Sequence, residues 1–515
     1  MRHCLSRFLP GFVFLLVVGI SGSLAQAQKG SHPDIVLRGT VQGKQNQTYL
    51  RIPFNVPEGV VRLSVSFEYS GKSEHTVLDL GIEDPHRFRG TSGGNKSSFT
   101  IGLSDATPSY LPGEIVPGQW KLWIAVPNIR QQSVVSYEAD VTFTRKTDPA
   151  SLGFTDTALN TNAGWYRGDL HMHTGHSDGR CRSQSGIEVP CPVFVTVEAA
   201  ARRGLDFLAI TDHNTTSHYE AERELQPYFD HLLLIPGREV TTFAGHANLF
   251  GTTEFLNFAI GTQEVPDVNT LLQNARKLGG LVSINHPNAP SGEGCMGCGW
   301  TPSLLADLRL ITAVEAVNGG AEEGPYSGVS FWECQLQRGY RLTAIGGSDN
   351  HRPQWTLEKV GSVGSPTTVV YAKELSVAGI MDGIRDGHVF VDLTGSRDRL
   401  LEVMATSKEE KAAMGDSLRA AAGEAVAIKI HVRACRGSGL KFFLDGHNHP
   451  ALPEMPIAND EQEIAVSWPS DGRQHWFRAD VVSLDGHLQL LGNPVYLNYS
   501  QIAAAGNGPQ SGKAR

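Results

Sequence analysis

His171 and His173 in Gly168-Asp169-Leu170-His171-Met172-His173-Thr174 stand at i and i+2, a spacing that projects two imidazoles to the same side of an extended strand. Asp178 follows on a turn marked by Gly179. Two imidazoles and a carboxylate so placed begin a metal site; the ordinary alternative is a polar strand end satisfied by water. Recurrence downstream favours the metal. His213 in Thr211-Asp212-His213, Glu239, His246, His286 in Asn285-His286-Pro287, and Asp349 with His351 in Ser348-Asp349-Asn350-His351 extend the set, several of them just after an apolar run. Six imidazoles and three carboxylates cannot share one cleft without charge compensation. Nine donors exceed what one tetrahedral ion takes and suit two to three divalent ions around a bridging carboxylate. Nitrogen and oxygen donors without thiolate fit Zn²⁺, Mn²⁺ or Fe²⁺.

The elements that would carry these groups alternate between strand and helix. Residues 205–210, 232–235, 281–284, 312–317, 342–345 and 389–393 read as strands, with helices at 193–203, 268–278, 331–338 and 375–386. Gly204 and Gly279-Gly280 stop two of the helices. Repeated β and α units over about 240 residues argue for a parallel sheet closed into a barrel, with the chemistry at the C-terminal ends of its strands.

On either side the period changes to two. Leu63, Val65, Phe67 and Tyr69 alternate with polar residues, as do Leu78, Leu80 and Ile82, and Tyr137, Ala139, Val141 and Phe143; turns separate them, so residues 30–148 read as an antiparallel β-sandwich. Residues 415–498, with Val426, Ile428, Ile430 and Val432 on one strand, read as a second, small β-domain. The tail 503–515 has nothing to bury and is expected to be disordered.

The chain has 515 residues, a formal net charge of −9 and no Lys/Arg cluster, which argues against binding a nucleic acid duplex. Arg2 and Arg7 precede an apolar run over residues 8–20, and Ala25-Gln26-Ala27 offers a cleavage site, so residues 1–27 read as a signal peptide and the protein as exported, periplasmic or extracellular. The run is too short for a stable membrane span. Of seven cysteines, six follow the leader, an even number that favours disulfides outside the cytoplasm. Cys181 with Cys191 is the favoured pair; Cys295 and Cys298 could form a tight bridge or half of a zinc ribbon whose second half is missing.

His171-Met172-His173-Thr174 with Asp178, Thr211-Asp212-His213, Glu239 with His246, Asn285-His286-Pro287 and Ser348-Asp349-Asn350-His351 resemble, in order, the motifs of the PHP (polymerase and histidinol phosphatase) superfamily. Residues 237–242 with Gly245-His246-Ala247-Asn248 resemble its CehA/McbA-type metallohydrolase branch. The resemblance spans roughly residues 164–394. It implies a distorted (β/α)7 TIM-like barrel, here over residues 160–400, within a multidomain α/β plus β chain. It implies one ion on His171, His173, Glu239 and Asp349, a second on Glu239, His246 and His286, and a third on Asp178, His213 and His351.

The expected activity is hydrolysis of a small-molecule phosphate mono- or diester by hydroxide bridging two ions, with Glu239, Asp349, His351 and Asp212 in the catalytic set. Asp169 and Asp212 are read as groups that orient imidazoles. Arg180, Arg182, Arg238 and Arg352 lie near the motifs and could receive phosphate, whereas His176 and His218 are read as surface or lining residues. The same metal site could instead cleave a carboxylic ester, carbamate or amide, or the chain could be a surface- or glycan-binding protein with structural metal. Oligomeric state is not legible.

Overall fold

The structure, a computed structural model, describes residues 32–499 apart from 94–95, 147, 149–152, 156, 294, 303–304, 357–358, 409 and 449–453. The leader of residues 1–27 and the tail of residues 503–515 lie outside the described residues.

Strands β1 (Ile35–Gln42), β2 (Tyr49–Val56), β3 (Val60–Tyr69), β4 (Val77–Glu83), β5 (Phe88–Thr91), β6 (Ser98–Gly102), β7 (Gly118–Asn128) and β8 (Val134–Arg145) form two antiparallel sheets, ordered β1-β8-β3-β6 and β2-β7-β4-β5. The period-two residues Leu63, Val65, Leu80, Ile82, Trp120, Ile124, Ala139 and Val141 meet in one buried core between them. This unit docks on the next through charge. Asp105, fully buried, lies 2.5 Å from Nη2 of Arg62 and 2.5 Å from Nη2 of Arg223, and Arg62 also donates to Thr253.

The central region contains β9 (Gly164–Asp169), β10 (Arg180–Arg182), β11 (Glu188–Pro190), α1 (Val193–Arg203), β12 (Phe207–Ile210), α2 (Tyr219–Leu225), β13 (Leu233–Thr241), β14 (His246–Phe250), α3 (Val268–Lys277), β15 (Leu281–Ile284), β16 (Ala313–Asn318), α4 (Val329–Gln337), β17 (Thr343–Gly347), β18 (Thr367–Ala372), α5 (Val377–Asp386) and β19 (Val389–Asp392). Helix ends follow local chemistry. Gly204 takes the left-handed conformation after α1, the Asp267 side chain accepts from the Thr270 amide to start α3, and Ser376 accepts from the Gly379 amide to start α5.

The expectation of an all-parallel barrel is corrected. The strands run β17-β16-β15-β14-β13-β12-β9-β18-β19, and the sheet is mixed: β14 is antiparallel to both β13 and β15, and β18 to both β9 and β19. The five α-helices of the described residues are few beside the strands, and the molecule is mostly β and multidomain. Among the described residues no strand ladder joins β17 to β18. One side chain spans the gap: Thr368 Oγ1 accepts from the Gly346 amide at 2.8 Å and donates to the Gly346 carbonyl at 2.6 Å.

Nor does the sheet end at β19. It continues through Leu488–Gly492 and His475–Val482 to Gly439–Leu444, so the C-terminal strands share hydrogen bonds with the central region. A separate four-stranded sheet, Glu410–Ala413, Leu400–Ser407, Ala425–Arg433 and Glu461–Pro469, packs beneath, in a core that also takes Val369 and Phe390.

Candidate metal centre

Strand ends bring the chemical groups together. His171 and His173 lie just past β9, His213 just past β12, His286 just past β15, and Asp349 and His351 just past β17; Glu239 is on β13 and His246 opens the antiparallel β14, whose start adjoins the end of β13. Backbone strain marks the place, since Asp349 (φ 50°) and His286 (φ 23°) both hold positive φ.

Glu239 is the centre of the arrangement. Its Oε2 lies 3.5 Å from Nε2 of His171, 3.5 Å from Nε2 of His173 and 2.9 Å from Nδ1 of His213; its Oε1 lies 3.2 Å from Nδ1 of His246 and 3.4 Å from Nε2 of His286. The two oxygens thus face two sets of imidazoles. Asp349 Oδ1 stands 3.4 Å from His171 Nε2 and 3.1 Å from His173 Nε2. Three groupings suited to a cation fall on residues of the expected sets: His171 with His173 and Asp349, without the Glu239 expected there; Glu239 with His246 and His286; and Asp178 with His213 and His351, which His173 joins. A fourth set, His171, His286 and Glu315, also lies close together. The first two sets are deep, with His171, His173, Glu239, His246 and His286 all buried, whereas Asp178 is 54% exposed and opens the third to solvent.

The residues fit divalent ions on two grounds. His171 Nε2, His173 Nδ1 and His246 Nε2 are buried nitrogens with no hydrogen-bond partner among the described residues. The His171 nitrogen faces Glu239 and Asp349 and the His173 nitrogen stands 3.9 Å from Asp178, which is how ligands wait for a cation. Charge supplies the second ground. Burial pulls the His171 imidazole down, but Asp349, Glu315 and Glu239 outweigh it and hold it well above its ordinary value; His286 and His351 are pushed up to about 9 against burial by Glu239 and by Asp178 respectively. Burial opposes ionisation of Glu239 and Asp349, yet the surrounding imidazoles hold both carboxyls well below the usual range. Protons gathered on imidazoles are the compensation that divalent ions would replace.

Several partners fix the imidazoles, and sequence reasoning missed most of them. Glu315 Oε1 lies 2.8 Å from His171 Nδ1, while its Oε2 accepts from the His286 amide and from Asn318. With both oxygens so engaged, Glu315 orients ligands rather than joining them. Cys298 O accepts from His286 Nδ1 at 2.9 Å, Thr241 Oγ1 lies 2.6 Å from His213 Nδ1, and Asn285 donates to Glu239. The one available signal was a glutamate interrupting the apolar run Ala313-Val314-Glu315-Ala316-Val317.

Other expectations are corrected. Asp212 stays outside the cluster: its oxygens accept from the Thr174 amide, the Thr174 hydroxyl and the Ser177 hydroxyl, tying down the loop leading to Asp178, and the imidazole it faces, at 3.6 Å, is that of His218 rather than of a candidate ligand. Asp169 orients no imidazole; it accepts from the backbone amides of His171, Ser348 and Gly364. His218 is fully buried, with Nε2 3.0 Å from the Gly237 carbonyl, whereas His176 faces out beside Ser217. Of the four arginines, Arg238 is buried on the Glu254 carbonyl, Arg352 pairs with Glu188 and Arg182 donates to the Gly186 carbonyl. Trp300 packs a loop, its ring so close to Gly245 that a Cβ there would lie 2.5 Å away. The disulfide joins Cys295 to Cys298, while Cys181 and Cys191 are buried free thiols at the β10–β11 hairpin.

No protein-family model and no curated protein matches this chain. Among solved structures, a two-domain protein from Bacteroides vulgatus ATCC 8482, described as containing a predicted PHP-like metal-dependent phosphoesterase, is similar over 64% of this chain and 95% of its own, with 20% identity and a TM-score of 0.36. The CARDB domain of a Pyrococcus furiosus protein is similar over 18% of this chain and 93% of its own, with 12% identity and a TM-score of 0.13. Similarity of this degree says nothing about what the chain acts on.

Proposed function

We propose that the chain is a metal-dependent hydrolase of small phosphate mono- or diesters, built on a PHP-type site of the CehA/McbA kind. The observation that carries this reading is Glu239, buried, with one oxygen toward His171, His173 and His213 and the other toward His246 and His286. Two to three divalent ions, Zn²⁺, Mn²⁺ or Fe²⁺, would be held by His171, His173, Glu239 and Asp349, by Glu239, His246 and His286, and by Asp178, His213 and His351. Such ions supply a nucleophile from water near neutral pH and neutralise charge developing on the substrate.

The chain's own side chains do the rest. Glu239 and Asp349 set the negative charge that gathers cations, and Glu315, Thr241 and the Cys298 carbonyl hold imidazole nitrogens so that the opposite nitrogen faces the cluster. The exposed Asp178 side, with His351 34% and His213 29% exposed, is where substrate enters, and the buried side excludes bulk water. The reading includes export, which rests on the apolar run of residues 8–20 and the Ala-x-Ala site after it.

One observation favours a second reading, hydrolysis of a carboxylic ester or carbamate. Arg352 is paired with Glu188, which lessens the positive charge it offers to a phosphate beyond the metals. The deciding experiment assays chromogenic phosphomonoesters, phosphodiesters and carboxylic esters with Zn²⁺, Mn²⁺ and Fe²⁺. Phosphoester turnover that Asp349→Ala lowers by about 10²-fold or more is the expected result. Turnover of carboxylic esters alone selects the second reading, and inert protein with every substrate removes both.

A further inference from the structure

We propose that the segment around the Cys295–Cys298 disulfide is a positioning device for the metal ligand His286, a role that rests on the metal-centre reading above. His286 sits two residues past β15 with φ 23°, and its Nδ1 donates to the carbonyl of Cys298 at 2.9 Å. That bond settles which nitrogen carries the proton and leaves Nε2, 3.4 Å from Glu239 Oε1, free to accept a cation. The acceptor is a backbone carbonyl, so the ring is aimed only as well as the chain at Cys298 is held.

What holds it is local. The disulfide closes the chain over three residues, Gly292 and Cys295 exchange amide-to-carbonyl bonds at 3.1 Å, the Gly299 amide donates to Ser291 Oγ at 2.9 Å and the Trp300 amide to the Pro287 carbonyl at 2.9 Å. Inside the bridge Gly297 takes φ 82°, and a Cβ there would stand 2.0 Å from the Thr242 carbonyl. The bridged segment therefore also rests on the turn between β13 and β14, which ends at His246; the Thr301 amide donates to the Ala244 carbonyl there at 2.9 Å. Glu239, His246 and His286 form one metal grouping, so two of its three ligands are buttressed from this loop.

Opening the bridge is the direct test. A phosphine reductant attacks one sulfur, the Sγ–Sγ bond breaks, water supplies the oxygen of the phosphine oxide and the two protons, and two thiols result. Mn²⁺ is the probe, because a hard ion is not captured by the new thiols. Binding isotherms are measured on the full chain in three forms: oxidised, reduced, and Cys295→Ser with Cys298→Ser; circular dichroism checks the fold. Gly297→Ala displaces the loop without touching sulfur.

The oxidised protein is expected to bind two to three Mn²⁺. The reduced protein and both variants lose about 10-fold or more in affinity for one ion, with the remaining ions and the fold unchanged. Identical isotherms in all forms overturn the proposal and leave the metal centre standing. Equal weakening of every ion together with loss of folded signal shows a merely structural bridge and also overturns it. If the oxidised protein binds neither Mn²⁺ nor Zn²⁺, the metal-centre reading fails and the proposal falls with it.

Discussion

His171 Nδ1 lies 2.8 Å from Glu315 Oε1, and both side chains are buried. The carboxylate accepts a hydrogen bond from Nδ1 and so leaves Nε2, which has no hydrogen-bond partner among the described residues, aimed at Glu239 and Asp349. The second oxygen of Glu315 accepts from the His286 amide at 2.9 Å, so one side chain on β16 orders two ligands that come from β9 and β15.

Glu315→Ala removes that acceptor without touching a ligand. Metal affinity is expected to fall about 10- to 100-fold, the usual loss when an imidazole loses its orienting partner. Titration with Mn²⁺ and Zn²⁺ measures it, and Glu315→Gln, which keeps the shape and one acceptor oxygen, is expected to lose less.

Chelation should destabilise the fold. A ligand present at about 100 times its Kd adds about 2.7 kcal/mol to stability, so removing bound ions with a chelator is expected to lower the midpoint of thermal unfolding by about 5–10 °C, and restoring Mn²⁺ or Zn²⁺ should recover it. An unchanged midpoint in protein shown to have lost metal would separate the cluster from stability.

Asp105→Ala leaves Arg62 without its buried carboxylate and deprives Arg223 of the same partner. Breaking a buried ion pair from one side costs about 3 kcal/mol or more. Asp105 joins the N-terminal sheets to α2, so denaturant unfolding of the variant is expected to show the N-terminal unit loosening first, with protease cuts in residues 32–146 appearing before loss of the central region.

His388 Nε2 and Asp416 Oδ1 lie 3.2 Å apart, joining the chain before β19 to the C-terminal region. The hydrogen bond to Asp416 raises His388, so its contribution is whole below the ordinary imidazole value of 6.5 and is lost as pH rises through the raised value. For Asp416, burial opposes ionisation but the His388 bond lowers it, so its share is present above the ordinary carboxylate value and is lost only as pH falls through the depressed one. Solvent screens the pair, and the effect stays below about 1 kcal/mol. Thermal midpoints measured from neutral pH to pH 9 should fall more in the wild type than in His388→Gln.

Much of the site was readable from residue order. His213, His286, Asp349 and His351 each follow an apolar stretch, and with His171 and His173 they converge because strand ends on one side of a sheet converge. Helix ends were readable too, since Gly204, Asp267 and Ser376 act within one turn of chain. Tertiary structure alone decided the rest. β14 and β18 are short apolar runs whose direction depends on which neighbours they pair with, and those antiparallel pairings make the sheet mixed. Asp212 stands inside a motif and Glu315 inside an apolar run, and neither position tells what its carboxylate faces. Only the fold shows that Asp212 faces Thr174, Ser177 and His218 while Glu315 faces the candidate ligand His171. The cysteines divide the same way. Even number and short spacing favoured Cys181 with Cys191, whereas the fold leaves those two as thiols and bridges Cys295 to Cys298. Donor type is a property of the residue, whereas the partner of each donor atom is a property of contacts between residues far apart in sequence.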